Sequence, residues 1–334
     1  MKGYYQYAAD VRDGNVLVGE FMKLAVERFY SLFERDDIQF REERADYAIE
    51  FIALLRHYTG RHAGKPFELL PWQEFAVARI YGFYKKDDDG SWCRMVSSVY
   101  IEMARKNGKS AFAAALCLYH LIADGESAAE VYLAANSKDQ AKVSFKMCRN
   151  FVSGLDPKHK YLESFRDQIN FDKTLSFLKV LAADSSKLDG PNPSMFLLDE
   201  YHAAKNSGLK DVLQSGQGMR DDPMSIIITT AGFDKLGPCY QFREMCTEVL
   251  MELKEDDTLF ALIYSLDEGD DWKDEKVWAK SNPNLGVTVK PKYLREQVRK
   301  AINSPSEEVS IKTKNINMSV SYTHLRAHET RSNL

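Results

Sequence analysis

Two short polar stretches carry residue types that together could bind and cleave a phosphoanhydride. The first, ARKNGKS, runs from Ala104 to Ser110 and stands directly before an alanine-rich helical stretch. A loop at the start of a helix presents backbone N–H groups to phosphate, Lys109 can pair with the β- and γ-phosphates, and the Ser110 hydroxyl can ligate Mg²⁺. The first glycine of the pattern G-x-x-x-x-G-K-[ST] is replaced by Met103, so the tripeptide alone also fits a basic turn before a helix. The residues expected to hold the ATP phosphates are Arg105, Lys106, Asn107, Gly108, Lys109 and Ser110.

The second stretch, SMFLLDEYHAA, runs from Ser194 to Ala204 and sets two carboxylates at the end of an apolar run. The apolar run predicts a buried strand, with Asp199 and Glu200 at its carboxyl end. There Asp199 can join the Mg²⁺ shell, while Glu200 can act on the attacking water as a catalytic residue alongside Lys109. Taken alone, the same letters also fit a strand that ends in a solvated turn.

Two further pairs are candidates for a nucleotide site. Thr229 and Thr230 end the run IIITTAG, where two hydroxyls could sense the γ-phosphate, although Thr is also simply a good strand residue. The letters PWQ place a flat ring at Trp72 and a side-chain amide at Gln73, which can both donate to and accept from an adenine edge. A helix start with a buried Trp is the alternative.

These residues can act together only if the fold brings them to one edge of a sheet. The β-rich runs SSVYIEM, AEVYLAA, SFLKVLA, SMFLLD and MSIIITT alternate with helical stretches. Such alternation predicts a mostly parallel sheet flanked by helices, and ligands of such sheets bind outside the carboxyl ends of the strands. We therefore predict an α/β fold of the P-loop NTPase type, in its ASCE variant, with a helical N-terminal preface and a helical C-terminal linker.

Four segments are predicted along the chain. Residues 1–65 form the helical preface, residues 66–255 the ATPase domain, residues 256–320 the linker and the start of the connection to a nuclease domain, and residues 321–334 a non-native tail. Within the ATPase domain, Pro71 opens a helix that Gly82 ends. The linker holds an acidic run, DEGDDWKDE, interpreted as solvated, and a helix rich in Lys and Arg, KPKYLREQVRKAI.

Composition excludes several classes of protein. The 334 residues are 44% hydrophobic, as in a globular protein, and the formal net charge is −4, so any contact with DNA must be local. Five widely spaced cysteines without a C-x-x-C pair favour a reducing compartment and argue against a zinc site. No stretch reads as a signal peptide or a membrane span, so we expect a cytosolic protein without a membrane partner.

A helicase is the main alternative for the same motifs. The letters DEYH, Asp199 to His202, fit the D-E-x-H box of superfamily-2 helicases, and Gln73 fits their Q motif. Such helicases need a second motor domain with arginines that reach the nucleotide, and the residues after Gly232 show neither an alternating pattern nor an Arg-rich motif. A nucleotide-binding scaffold without catalysis is a further alternative, which Glu200 disfavours.

Six stretches, taken together and in order from about residue 60 to residue 318, resemble the large subunit of tailed-phage terminases: FELLPWQEFAVARIYG, ARKNGKSAFAAALCLYHL, YLAANSKDQAKVSF, LDGPNPSMFLLDEYHAAK, IIITTAG and NPNLG. In these DNA-packaging motors the first glycine of the phosphate loop is dispensable, and an Arg stands three residues before the Gly-Lys pair. The resemblance implies that Arg105 approaches the γ-phosphate as a catalytic residue, that Gln73 reads adenine, and that Thr229 and Thr230 couple hydrolysis to DNA movement. From the residues alone, Arg105 could equally be a solvated loop charge.

The resemblance also implies which partners the protein binds and where in the host cell it acts. The partners are double-stranded DNA, the small terminase subunit and the portal protein. The working form is a homo-oligomeric ring in which neighbouring subunits complete each active site. Such a phage protein works in the host cytoplasm and transiently at the prohead portal, with ATP and Mg²⁺ as its ligands.

The end of the chain departs from the family pattern. Family members continue into a nuclease domain of the RNase H type, and we expect that half to be missing here because nothing after Ile316 supplies its clustered carboxylates. The closing letters SYTHLRAHETRSNL have no apolar periodicity. We interpret them as the translation of a library adapter joined to a truncated gene, or else as a frayed tail, and assign no metal role to His324 and His328.

Overall fold

An eight-stranded, mostly parallel sheet forms the centre of the molecule. The computed structural model describes residues 2–181 and 190–319, and the predicted tail lies outside these ranges. The strands of this sheet are β4 (Ser98–Glu102), β5 (Glu130–Ala135), β6 (Leu162–Ser164), β7 (Gln168–Phe171), β8 (Ser176–Val180), β9 (Met195–Asp199), β10 (Met224–Thr229) and β11 (Leu259–Ile263). Their order is β11–β4–β10–β9–β5–β8–β7–β6, parallel from β11 to β8 and antiparallel beyond.

A second, small sheet lies in the N-terminal part. It is antiparallel, in the order β1–β2–β3, with β1 at Ile38–Phe40, β2 at Phe83–Lys86 and β3 at Trp92–Arg94. Ten α-helices are described: α1 (Gly3–Arg12), α2 (Glu20–Ser31), α3 (Glu42–Leu54), α4 (Pro71–Tyr81), α5 (Lys109–Ile122), α6 (Lys138–Leu155), α7 (Gly208–Ser215), α8 (Pro238–Leu250), α9 (Pro291–Asn303) and α10 (Pro305–Asn315).

Burial explains why the central elements form as they do. Every residue of β9 and β10 is buried, so continuous apolar runs replace the alternating pattern of a half-exposed strand. Helix α5 is rich in Ala and packs against β5, β8, β9 and β10, while α2 and α8 pack together against β11. Helix α4 begins at Pro71 and ends before Gly82, as predicted.

The described residues form two apolar cores. The first is a single cluster of side chains whose members range from Tyr4 to Tyr264, so the preface and the central sheet share one core. The second joins Trp272 and Trp278 to side chains of α9 and α10 and ends at Ile316. Four of the five cysteines, Cys117, Cys148, Cys239 and Cys246, are buried free thiols, and Cys93 is half-buried.

Five strands, β4, β5, β8, β9 and β10, confirm the predicted alternating pattern. The prediction of a helical C-terminal linker at 256–320 missed β11, which extends the parallel sheet beside β4. Its sequence, LFALI, is a short apolar run that periodicity cannot tell from a buried helical segment. The predicted fold class, α/β with a mostly parallel sheet flanked by helices, is confirmed.

Candidate active site

The phosphate loop joins the end of β4 to the start of α5 through two left-handed residues. Lys106 has φ 68° and Gly108 has φ 78°. Glycine adopts this conformation freely, whereas a lysine is strained in it, and such strain is often concentrated at functional sites. The turn delivers the N-terminus of α5 at Lys109, where the first backbone N–H groups have no partner within the helix. The loop therefore has the geometry of an anion cradle.

Lys109 lies at the centre of this cradle and is only 7% exposed. Its Nζ donates to the carbonyl oxygens of Met103, at 2.6 Å, and Ala104, at 3.1 Å. Burial lowers the pKa of Lys109 to about 8, and the nearby charges of Glu200 and Asp199 only partly offset the loss of solvation. A phosphate group would supply the close anion that this ammonium lacks.

Ser110, in the helix that follows β4, and Asp199, at the end of β9, face each other although β4 and β9 are not neighbours in the sheet. β10 lies between β4 and β9, as in the ASCE class, and the Ser110 hydroxyl is 3.4 Å from Oδ2 of Asp199. The same oxygen accepts a hydrogen bond of 2.6 Å from Ser144 on α6. Burial raises the pKa of Asp199, and this hydrogen bond counteracts part of the rise. Ser144 was missed by sequence reasoning.

The oxygens of Ser110 and Asp199 fit a magnesium ion. Mg²⁺ prefers hard oxygen ligands and, at phosphate sites, takes only one or two from the protein, with water and phosphate oxygens filling the rest of its shell. One hydroxyl and one carboxylate at the end of a phosphate loop match that demand. Within residues 2–181 and 190–319, no group of three or more His, Cys, Asp and Glu side chains is placed to hold a metal ion.

Glu200 follows directly and is held in a strained backbone conformation, with φ 55°. Its Oε2 lies 3.1 Å from Nδ1 of His202, an ion-pair distance without hydrogen-bond alignment, so this buried oxygen has no hydrogen-bond partner among the described residues. Burial disfavours the charged form of Glu200, but His202, Lys109 and Arg105 outweigh it and lower its pKa. The carboxylate is thus ionised and able to accept a proton from water.

The two threonines at the end of β10 meet the same histidine. Nδ1 of His202 is 3.1 Å from Oγ1 of Thr229 and 3.4 Å from Oγ1 of Thr230, and the His202 N–H donates to Thr229 Oγ1 at 2.9 Å. Both threonines are fully buried. His202 therefore connects Glu200 to Thr229 and Thr230. His202 is the last residue of the stretch DEYH, but its position in the sequence did not predict a contact with the end of β10.

The side chains of Trp72 and Gln73, predicted to bind adenine, both have hydrogen-bond partners within the protein. The Gln73 side-chain oxygen accepts the N–H of Leu70 at 2.9 Å and so caps α4. Trp72 is buried, and its Nε1 donates to Oδ1 of Asn284 at 2.7 Å. The ring lines a cavity of about 360 Å³ together with Leu70 and Tyr264, among others. The adenine roles of Trp72 and Gln73 stay predictions.

Asparagines from the second core hold the phosphate loop from outside. The Asn107 side chain donates to Asn282 Oδ1 at 2.8 Å and accepts the Asn284 N–H at 3.0 Å. Asn284 in turn donates to the Asn107 carbonyl at 2.9 Å, and the exposed Arg105 donates its backbone N–H to the Lys314 carbonyl at 2.7 Å. Asn107, predicted to bind phosphate, thus uses its buried side chain to anchor the loop. Asn282 and Asn284 belong to the letters NPNLG, which carried no role of their own in the sequence.

Comparison with known proteins identifies the family. Residues 71–248, more than half of the chain, match the family model described as "Terminase large subunit, ATPase domain". The chain belongs to the family of terminase large subunits. This terminase is 22% identical to the large subunit of Lactococcus phage p2 over 302 residues, which cover 88% of the chain and 55% of that protein. It is 24% identical to the Enterobacteria phage HK97 large subunit over 269 residues, covering 78% of the chain and 50% of that protein.

A solved structure agrees with the fold of this terminase. The crystal structure of the HK97 bacteriophage large terminase superimposes with a TM-score of 0.70 at 22% identity, covering 83% of this chain and 55% of that one. A shorter stretch of 130 residues is 40% identical to Protein YmfN of Escherichia coli strain K12, covering 39% of the chain and 29% of that protein. The chain spans about half the length of the curated terminases it matches.

The prediction that the nuclease half is missing is wrong. Residues 253–327 of this terminase match the family model described as "Terminase large subunit, endonuclease domain". Sequence reasoning failed there because it searched for a carboxylate cluster after Ile316, whereas the match begins before β11. It also extends to residue 327, into the segment interpreted as a non-native tail.

No helix in the described ranges is long and apolar enough to cross a membrane.

Proposed function

We propose that this terminase binds ATP with Mg²⁺ and hydrolyses it to drive double-stranded DNA into a phage prohead. One observation carries the proposal: Lys109, Ser110, Asp199 and Glu200 meet at the carboxyl edge of one parallel sheet. An anion cradle, a buried ammonium, a metal-fitting pair and an ionised carboxylate are the parts that phosphoryl transfer to water requires.

Each residue has a distinct task in this proposal. Mg²⁺, held by Ser110 and Asp199, would neutralise charge on the phosphate oxygens. Lys109 holds the β- and γ-phosphates, and Glu200 orients the attacking water and accepts its proton. Arg105, exposed and next to the cradle, stabilises charge on the transferring group. The remaining loop residues, Lys106 and Gly108, shape the cradle, and Asn107 fixes it.

Thr229 and Thr230 serve as the coupling element. Their strand is hydrogen-bonded to both the phosphate-loop strand and the carboxylate strand, and His202 joins their hydroxyls to Glu200. A change at Glu200 on hydrolysis can therefore reach β10 through His202. The proposed segments are the preface at 1–65, the motor at 66–255, and the linker with the start of the nuclease-domain connection at 256–320. Strand β11, in the last of these, belongs to the sheet of the motor.

The partners in this proposal are those of the family. They are double-stranded DNA, the small terminase subunit and the portal protein, with a ring of identical subunits as the working form in the host cytoplasm. The segment matched by the endonuclease model would take part in cutting the packaged DNA. These proposals rest on the family relationship.

The decisive experiment compares ATP hydrolysis by the chain and by Glu200→Gln. The amide keeps the shape of Glu200 but cannot accept a proton, so turnover should fall at least about a hundredfold while Mg-ATP binding persists. Glu163→Gln, at the exposed residue of the edge strand β6, is the matched control and should leave turnover unchanged. Equal activity of the Glu200 and Glu163 variants would refute the assignment, and binding without hydrolysis by the unmodified chain would make it a nucleotide-binding scaffold.

A further inference from the structure

A basic cavity lies between the first part of the phosphate loop, at Arg105 and Lys106, and helices α9 and α10. Its volume is about 330 Å³. Four cationic side chains line it, from Arg105, Lys106, Lys300 and Lys314, against the single carboxylate of Glu307. The loop is held here to α9 and to the segment before it, because Thr288 donates to the Lys106 carbonyl at 2.6 Å and Lys106 Nζ lies 3.9 Å from the centre of the ring of Tyr293 on α9.

The protein compensates only part of the positive charge of this cavity, through the single carboxylate of Glu307 in its lining. Among the residues that the structure describes, none of the four cations is within salt-bridge distance of a carboxylate, whereas Lys312 on the same helix α10 is paired with Glu308. Four cations held beside one carboxylate repel one another and lower stability. Such an arrangement is favourable only when an anion enters it, and a cleft of one sign raises the local concentration of that anion.

Helix α9 extends the positive surface away from the cavity. Residues 290–300, KPKYLREQVRK, hold five Lys or Arg residues and one Glu in a chain whose formal net charge is −4. Only one of these cations, Arg295, has an ion pair, with Glu275, in the described part of the chain. Most cationic side chains of the basic helix noted in the sequence therefore have no ion-pair partner among the described residues.

We propose that this cavity and the adjoining surface of α9 bind the phosphate backbone of DNA. The inference rests on the proposed function, which supplies DNA as the partner, and it adds the surface that touches it. A cavity of about 330 Å³ admits one phosphate group with its sugar but no duplex, so the duplex would lie along α9 with a single backbone phosphate in the cavity. Contacts of this kind set affinity without reading sequence.

The terminal phosphate of bound ATP is the other phosphate group that this cavity could hold. The cavity is lined by Arg105 and Lys106 of the loop but not by Lys109, Ser110, Asp199 or Glu200, so it opens beside the nucleotide site and not into it. Because Arg105 and Lys106 belong to the loop as well, DNA in the cavity would contact the phosphate loop itself. DNA binding would then change ATP turnover without any intervening element.

The test measures binding of the full chain to two 30-base-pair duplexes of unrelated sequence over a range of salt concentration. Lys300→Glu should weaken binding to both about tenfold at low salt and reduce the slope of log affinity against log salt by about one. It should also reduce DNA-stimulated ATP turnover and leave turnover without DNA unchanged. Lys146→Glu, an equally exposed charge reversal on α6, is the control, and Lys300→Gln should give the same effects more weakly.

Three outcomes would overturn the inference. They are DNA affinity of Lys300→Glu equal to that of Lys146→Glu, loss of binding to only one of the two duplexes, and loss of ATP affinity relative to ADP without change in DNA affinity. The last would assign the cavity to the nucleotide. Failure of the proposed function is separate, since it appears as absent ATP hydrolysis by the unmodified chain whether or not DNA binds.

Discussion

Lys109 illustrates how a single residue can favour function over stability. Its ammonium is buried against two carbonyl oxygens, and its lowered pKa records the cost of that burial. Replacing Lys109 by an apolar side chain of similar length removes this desolvation cost, but it also leaves the carbonyl oxygens of Met103 and Ala104 without their donor. Because these two effects oppose each other, we expect Lys109→Met to change the free energy of unfolding by only about 1 kcal/mol, and to abolish nucleotide binding.

Urea unfolding and nucleotide titration of the Lys109→Met chain check this expectation. Lys142→Met on α6, a half-buried lysine within ion-pair distance of Asp167, serves as the comparison and should bind nucleotide normally. Nucleotide binding by the Lys109 variant at the level of the unmodified chain would remove Lys109 from the site.

His202 leads to a second prediction at the same scale. Its Nδ1 lies within 3.1 Å of both Glu200 and Thr229, so it positions the general base against the end of β10. His202→Leu should lower turnover by about tenfold to a hundredfold with little change in nucleotide affinity, the pattern of an interaction that matters in the transition state. His202→Asn, whose side-chain amide can stand in for Nδ1, should restore part of the rate. Equal loss in both variants would indicate a merely structural histidine.

At the scale of elements, the contact between the phosphate loop and the second core depends on Asn284. This residue is 1% exposed, accepts from the Trp72 indole and donates to the Asn107 carbonyl. Asn284→Ala would leave both groups unpaired in the interior, which costs about 1–3 kcal/mol. Chemical denaturation should show that loss, while Asn303→Ala at the exposed end of α9 should show none. A neutral Asn284→Ala would mean that water replaces the amide.

The same elements show why sequence reasoning succeeded at some residues and failed at others. Lys109, Ser110, Asp199 and Glu200 lie together at one sheet edge, as expected for residues at or soon after the ends of two parallel strands, which end at the same edge. Their roles stay predictions. Ser144 and Asn284 were missed because their contacts span 55 residues, to Asp199, and 177 residues, to Asn107. Those partners are chosen by packing, which leaves no periodic signal. β11 was missed for a different reason, since five apolar residues fit a helix equally well.

At the scale of the whole molecule, Asp257 links the preface to the central sheet. It stands two residues before β11, and its carboxylate lies 2.7 Å from both Arg35 and Lys85. Burial alone would raise the pKa of Asp257, but these two cations outweigh it and lower the pKa to about 2. A carboxylate whose folded pKa lies below its unfolded value stabilises the fold at higher pH, and this contribution is lost as pH falls through the folded pKa.

We therefore expect Asp257→Asn to lower the melting temperature by a few degrees at pH 7. The difference from the unmodified chain should begin to shrink below about pH 4, near the unfolded pKa, and continue to shrink toward pH 2. Asp88→Asn, in the exposed turn between β2 and β3, should show no such pH-dependent difference. A deficit of Asp257→Asn that stays constant from pH 7 to pH 3 would show that the linkage is not electrostatic.

The burial of the cysteines sorts them by reactivity. Burial raises the pKa values of Cys117, Cys148, Cys239 and Cys246, which keeps them as unreactive thiols, whereas Cys93 on β3 is partly accessible. A maleimide dye should accordingly attach to one position of the folded chain without any engineering. That position adjoins Arg94, whose salt bridge to Asp124 ties β3 to the end of the phosphate-loop helix. A fluorophore on Cys93 would thus give an optical reporter of movements that begin at the opposite end of that helix.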